Sequence, residues 1–266
     1  MSRCLMATDM DRTLLPNGVQ SPEEGALERF REWAGGRQSV DLAYVTGRHR
    51  ALARSVMDEY RLPEPDWLVA NVGTEIYPGG GATPLAAWQQ RLQAGFDAGA
   101  VRSWAESRLP KARLQEAAKQ SPLKVSFYTA GVRDPAGEQR RLQEGLRQDG
   151  LAARVVVSYD ETEEVGLVDF LAPGSGKARA VAFLREHLGI GAEAALFAGD
   201  SGNDADALLS GVGGILVGNA TEAVRAQLRE ALADHPGARL YIAQRPYTAG
   251  ILEGMAHYGW PVPEEA

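Results

Sequence analysis

The chain has 266 residues, 44% hydrophobic and 24% charged, which suffices for one large domain or two modest ones and excludes general disorder. A net charge of −7 excludes broad nucleic-acid binding, which draws its affinity from a basic face, while an anionic small molecule remains acceptable where a few cations reverse the field locally. The single cysteine, Cys4, excludes an internal disulfide and fits a reducing compartment. With no signal-like N-terminus and no apolar window of membrane-spanning length, a cytoplasmic location is expected.

Short apolar runs alternate with helical patterns, the mark of a parallel sheet flanked by helices. A first strand from Cys4 ends at Asp9, with Asp11, Arg12 and Thr13 directly behind it. "SPEE" at Ser21–Glu24 offers an N-cap, a proline at the first helical position and a Glu at the third, so a helix is expected from there to about Trp33. A second strand, Val40–Val45, runs into Thr46-Gly47-Arg48 and a helix to about Tyr60. A third starts at Trp67 and leads to "TEIYPGGG", where the pattern changes.

From about Gly80 to Leu167 helical stretches, Pro84–Ser107 and Asp134–Gln148, alternate with strand-like Leu123–Thr129, Ala153–Tyr159 and Val165–Leu171. This reads as an α+β insertion with its own small sheet. The parallel grammar then resumes with a helix from Lys177 to His187, a strand Ala194–Ala198, the segment "GDSGNDADALL", a strand and turn Gly213–Ala220, and a helix Thr221–Ala233. The pair Gly218-Asn219 is read as a chain reversal.

Ligands of open parallel sheets sit at the carboxyl ends of the strands, and that rule gathers distant residues. Asp9 and Asp11 come from the first strand, Thr46, Gly47 and Arg48 from the second, and Asp200, Asn203 and Asp204 from the strand Ala194–Ala198. Four carboxylates at one rim require a cation, and an all-oxygen donor set suits Mg²⁺. With Lys177 and a threonine hydroxyl close by, the set fits phosphoryl transfer, Asp9 attacking phosphorus and Asp11 acting as acid and then base. "PGSGKA" at Pro173–Ala178 is not a nucleotide loop, since Leu171 stands where the first glycine belongs and Ala178 where a Ser or Thr belongs. The four histidines, His49, His187, His235 and His257, are scattered and form no metal pattern.

"DMDRT", "VTGR", Lys177 and "GDSGND" stand in the order of the four motifs of the haloacid dehalogenase (HAD) superfamily, which the chain resembles. The resemblance implies an α/β HAD-like Rossmannoid core, residues 1–79 and 172–266, with an inserted α+β C2-type cap, residues 80–171. It also implies a phosphoaspartyl intermediate on Asp9, with Mg²⁺ held by the Asp9 side chain, the Asp11 backbone carbonyl and Asp200, supported by Asp204. Thr46 and Lys177, helped by Asn203, would bind the transferring phosphoryl group.

"KVSFY" at Lys124–Tyr128, "VGTEIY" at Val72–Tyr77 and the tail "PYTAGILEGMAHYGW" are similar to sucrose-phosphate phosphatases and relatives acting on other disaccharide phosphates, such as mannosylfructose phosphate. On that resemblance a sugar phosphate is the expected substrate, and Lys124 and Ser126 are the expected cap contacts. Other glycoside phosphates, a phosphomutase reaction and a non-catalytic role beside a glycosyltransferase are the alternatives. The expected state is a monomer or small homo-oligomer. Two departures stand out. Arg12 occupies a position where these families carry Gly or Asn, with a phosphate or the cap as its expected partner. "SYDETEEVGLVDF" replaces a glycine-containing cap segment.

Overall fold

The structure, a computed structural model, describes residues 3–264 apart from 94, 110, 131, 133, 161 and 162. In chain order the elements are β1 (Cys4–Asp9), α1 (Ala26–Gly36), β2 (Val40–Val45), α2 (Arg50–Glu59), β3 (Trp67–Ala70), β4 (Glu75–Pro78), α3 (Ala86–Leu92), α4 (Ala98–Arg108), β5 (Arg113–Leu114), β6 (Lys124–Thr129), α5 (Pro135–Gln148), β7 (Arg154–Asp160) and β8 (Val165–Leu171). They continue with α6 (Lys177–His187), β9 (Ala195–Gly199), α7 (Ala205–Leu208), β10 (Gly213–Leu216), α8 (Glu222–Ala231), β11 (Arg239–Ile242) and α9 (Tyr247–His257). The chain divides into two compact units, Met1–Thr83 with Lys177–Ala266, and Pro84–Gly176. No helix among the described residues is long and apolar enough to cross a membrane.

The larger unit is built on a seven-stranded sheet in the order β11-β10-β9-β1-β2-β3-β4, parallel except for the antiparallel edge strand β4. β1 lies in the middle because Leu5, Met6 and Ala7 are fully buried, as a strand covered on both faces must be. Chain order explains the site. After β1 the chain builds outward through β2 and β3, and the second half of the unit returns on the other flank through β9 and β10. The carboxyl end of β1 is therefore the point where the strand order reverses, the place such sheets offer a ligand. One apolar cluster, including Met6, Met10, Phe30, Tyr44, Ile251 and Met255, packs helices α1 and α9 against the strands.

The smaller unit is a four-stranded antiparallel sheet, β5-β6-β8-β7. Val125 and Phe127 of β6 and Val168 and Phe170 of β8 join Val101 and Ala105 of α4 and Leu142 and Leu146 of α5 in a second core. Side chains alternate along a strand, so Lys124, Ser126 and Asp169 fall on the face turned away from those helices. Glu161 and Thr162, within the segment that departs from the related phosphatases, lie outside the described residues.

Several expectations are corrected. The capping box at Ser21–Glu24 does not form: α1 starts at Ala26 behind Gly25, whose φ is 74°, and runs past Trp33 to Gly36. Glu23, next to the expected capping residue Glu24, has its carboxylate held by Arg29 at 2.8 Å and by Arg245. Pro84–Ser107 is not continuous but splits into α3 and α4. Strands β4, β5 and β11 have no counterpart in the sequence reading, because each is four residues or fewer and offers little alternation. Helix α9 was also unread as a helix. It is apolar almost all round, with residues from Tyr247 to Ile251 buried together with Leu252, Gly254 and Met255, so it has no polar stripe to mark its period.

Helix α9 can lie this close to β10 because Gly254 has no side chain: a Cβ there would stand 2.5 Å from Ile215 Cγ2. Gly254→Ala is expected to destabilise the protein by about 1–3 kcal/mol through overpacking. Gly35→Ala, in α1 where a Cβ meets nothing within 4 Å, should be neutral or stabilising by about 0.5–1 kcal/mol. Denaturant unfolding of both variants beside the parent checks the pair.

Candidate active site

Register delivers the polar residues to one rim. Asp9, the last residue of β1, lies opposite Val45 of β2, so Thr46 follows on the same side. Thr8 lies opposite Ala198 of β9, so Gly199 and Asp200 follow on the other. Lys177, the first residue of α6, reaches in between them. Its ammonium donates to Asp9 Oδ1 at 2.6 Å and Asp204 Oδ1 at 2.7 Å, with Asn203 Oδ1 at 3.3 Å.

Asp204 connects two functions. One oxygen takes Lys177, and the other accepts the backbone N–H of Asp200 at 3.3 Å and of Ser201 at 3.2 Å, together with the Ser201 hydroxyl at 3.0 Å. This closes a capping box around the short 3₁₀ turn Gly202–Asp204 and fixes the loop that carries Asp200. Thr13, fully buried, sets its hydroxyl 3.2 Å from Asp200 Oδ1 and 3.4 Å from Asp9 Oδ2. The sequence reading noted Thr13 beside the aspartates but gave it no role; its only signal was its place directly after them.

Burial pushes the Asp9 carboxyl well above the usual range; Lys177 opposes this, and the neighbouring carboxylates of Asp204 and Asp200 add to it. Burial also pulls on Lys177, but the Asp204 and Asp9 carboxylates outweigh it and hold the ammonium charged. Asp200 is pushed up to about 6 by burial and by Asp204, against the pull of Arg12, Lys177 and the Thr13 hydroxyl. Asp11 behaves in the opposite way: burial works against its charge, yet hydrogen bonds from Arg48 and Asn17 bring its carboxyl below the usual range.

Of the four carboxylates expected at one rim, that of Asp11 is turned to other partners. Arg48 grips Asp11 through Nε at 2.8 Å and Nη2 at 2.5 Å, and Asn17 donates to it at 2.8 Å. The carboxylates that do converge are Asp9, Asp200 and Asp204, each offering an oxygen within 4.8 Å of the others, all buried. Among the described residues no other set of three His, Cys, Asp or Glu gathers this way. Hard oxygen donors with excess negative charge fit Mg²⁺. The Asp11 side chain stays outside that set, so only its backbone carbonyl is available to the metal reading.

Thr46 is fully buried and its hydroxyl accepts the N–H of Arg48 at 3.1 Å, which shapes the turn after β2. Gly47 between them is not required by packing, since a Cβ there would meet only Val72 Cγ2 at 3.9 Å. Arg12, expected to face a phosphate or the cap, has Asp200 as one partner, Nε to Oδ2 at 3.2 Å. Two asparagines, Asn17 and Asn219, hold this loop. Asn17 accepts the Arg12 N–H at 2.7 Å, and Asn219 donates to the Arg12 carbonyl at 2.6 Å while accepting the Tyr247 N–H at 2.8 Å. Asn219 therefore does more than reverse the chain. In the other unit Lys124 and Ser126 are both buried around Asp169, the Ser126 hydroxyl donating to that carboxylate and Lys124 Nζ lying 3.8 Å from it. Asp169 is an addition to the expected pair, invisible in the sequence until the β6 and β8 register sets it opposite Ser126.

The fold and sequence have counterparts among known proteins. A sucrose-phosphatase from Synechocystis sp. PCC6803, solved in complex with sucrose and phosphate, superposes with a TM-score of 0.82 at 28% identity, covering 97% of this chain and 99% of that one. In sequence, the chain is 31% identical to sucrose-phosphatase 1 of Nicotiana tabacum over 97% of its own length and 59% of the plant protein's. It is 27% identical to the mannosylfructose-phosphate phosphatase of Agrobacterium fabrum over 96% of both chains. The chain thus spans about three fifths of the plant sucrose-phosphatases it matches. The family model for sucrose-6F-phosphate phosphohydrolase matches residues 2–259, nearly the whole of a fold whose buried lysine joins Asp9 at the end of the central strand to Asp204 after β9, and the chain belongs to that family of phosphoric monoester hydrolases.

Proposed function

We propose that the protein is a Mg²⁺-dependent phosphatase that hydrolyses a sugar phosphate, a disaccharide phosphate such as sucrose 6-phosphate, through a phosphoaspartyl intermediate on Asp9. The observation that carries this reading is the Asp9 carboxylate at the end of β1, held by Lys177 at 2.6 Å with Asp200 and Asp204 converging on it. Asp9, Asp200 and the Asp11 carbonyl would hold the ion, with Asp204 behind them. Once bound, Mg²⁺ neutralises charge on the carboxylates and on the phosphoryl oxygens.

Asp9 attacks phosphorus, the bond from phosphorus to the sugar oxygen breaks, and Asp11 gives its proton to the departing hydroxyl. Water then attacks the phosphorus of the aspartyl phosphate, Asp11 takes a proton from it, and phosphate leaves with Asp9 restored. Lys177, Thr46 and Asn203 hold the phosphoryl oxygens, and Gly47 admits the substrate past the turn. Arg48 grips Asp11 in its ionised form. For the acid step Asp11 has to leave Arg48 and take up a proton from solvent before it can give one to the departing oxygen, and an arriving phosphate, itself a bidentate acceptor for a guanidinium, supplies the exchange at Arg48.

The unit Pro84–Gly176 is read as the specificity cap. Lys124, Ser126 and Asp169, one buried cation, one hydroxyl and one carboxylate in mutual reach, offer donors and acceptors for sugar hydroxyls. A second substrate, mannosylfructose phosphate, is favoured by the end-to-end match with the Agrobacterium fabrum enzyme.

Phosphate release from sucrose 6-phosphate, mannosylfructose phosphate, other glycoside phosphates and simple hexose phosphates, with Mg²⁺ and with EDTA, tests the reading. Metal-dependent turnover of one disaccharide phosphate, lost in Asp9→Asn and reduced about 10²- to 10⁴-fold in Asp11→Asn, is the expected result. Turnover unaffected by EDTA or by Asp9→Asn would contradict it. A pH dependence follows as well. Asp200 takes up a proton near pH 6 in the metal-free protein and loses charge as a donor below it, so the Mg²⁺ concentration giving half-maximal rate should rise as the pH falls from 7.5 to 5. A requirement independent of pH over that range would remove Asp200 from the metal set.

A further inference from the structure

Arg12 has a backbone shape that its side chain does not favour. Its φ is 57°, in the left-handed region where a Cβ crowds the following carbonyl at a cost of about 1–2 kcal/mol and where Gly and Asn are at ease. The conformation is imposed from both sides, by Asn17 on the N–H and Asn219 on the carbonyl. An arginine kept at such a position is compensated elsewhere, and one compensation is the ion pair of its Nε with Asp200 Oδ2 at 3.2 Å.

That oxygen belongs to one of the three carboxylates that converge at the site. Lys177 already answers two of them, Asp9 and Asp204, and Arg12 answers the third. Three carboxylates thus face two cations where a divalent ion is to bind. Arg12 is also the cation with the more exposed side chain, 35% against 6% for Lys177.

We propose that Arg12 is a resident counter-cation for Asp200 that a divalent ion has to displace, and that it thereby sets how much Mg²⁺ the protein needs. The inference rests on the metal reading given above and concerns a residue that reading does not use. Without Mg²⁺ the guanidinium screens Asp200 from Asp204. With Mg²⁺ the same guanidinium is repelled by the ion and turns outward. Asparagine at this position keeps a residue comfortable at positive φ and removes the competing charge; lysine keeps the charge.

The test is calorimetric titration of MgCl₂ into the purified full chain without substrate, for the parent, Arg12→Asn, Arg12→Lys and Asp200→Asn, with the Mg²⁺-induced shift of Tm as a second reading. Arg12→Asn should bind Mg²⁺ on the order of tenfold more tightly than the parent, Arg12→Lys should stay near the parent, and Asp200→Asn should bind far more weakly. Equal or weaker binding by Arg12→Asn, or the same gain in Arg12→Lys as in Arg12→Asn, would overturn the proposal while leaving the metal site standing. Binding by Asp200→Asn equal to the parent's, or binding by neither the parent nor Arg12→Asn, would overturn the metal reading and the proposal with it.

Discussion

Lys177 brings a charge into a place where 6% of its side chain meets solvent, and it stays charged there because Asp9 and Asp204 lie at 2.6 and 2.7 Å. A buried ion pair of this kind is seldom a net source of stability, since desolvation offsets much of the attraction, yet breaking one by removing a partner costs about 3–5 kcal/mol. The arrangement is thus better understood as a device for holding geometry. Lys177 comes from the start of α6, Asp9 from the end of β1 and Asp204 from the turn after β9, and the ammonium fastens all three. Through its second oxygen Asp204 passes the constraint on to the backbone of Asp200 and Ser201, so one cation sets the position of the nucleophile candidate and of the loop that carries a metal ligand candidate.

The second constraint is topological. Because β1 is flanked by β2 on one side and β9 on the other, both in parallel register, the residues following the three strands rise at the same rim. The polar pair at the end of β1 then divides its work. Asp9 is buried beside Lys177 with its carboxyl pushed above its usual range, whereas Asp11 is clasped by Arg48 and Asn17 with its carboxyl below it. Two residues of one type, two positions apart, acquire opposite proton affinities from their neighbours, with a sign the reverse of what a nucleophile and a proton donor need, so the proposed roles require a bound cation and substrate to shift both.

The central sheet was legible because its buried strands are continuous apolar runs that end in chemistry: Cys4–Asp9, Val40–Val45 and Ala195–Gly199 fall close to where the apolar pattern places them. Asp9, Asp200, Asp204 and Lys177 were found because residue type and strand position coincide. What escaped depends on tertiary partners. The pairing of Glu23 with Arg245, far along the chain, is one such case, and the roles of Asn17 and Asn219 exist only once the loop after β1 and the turn after β10 meet at Arg12. Asp169 needs the β6 and β8 register, and α9 lacks a polar face because Gly250 and Gly254 press it onto the sheet. Arg12 was visible as a departure from its relatives, but its partner was not, since the pairing with Asp200 spans two strands that meet only in the fold.

The measurement that bears most directly on this account is rapid acid quenching during turnover followed by peptide mass spectrometry, on the parent and on Asp11→Asn. If the carboxylate fastened by Lys177 is the nucleophile, a phosphoryl adduct appears on Asp9 and accumulates in Asp11→Asn, where the water step lacks its base. Turnover with no adduct at any quench time, or an adduct on another residue, would contradict it.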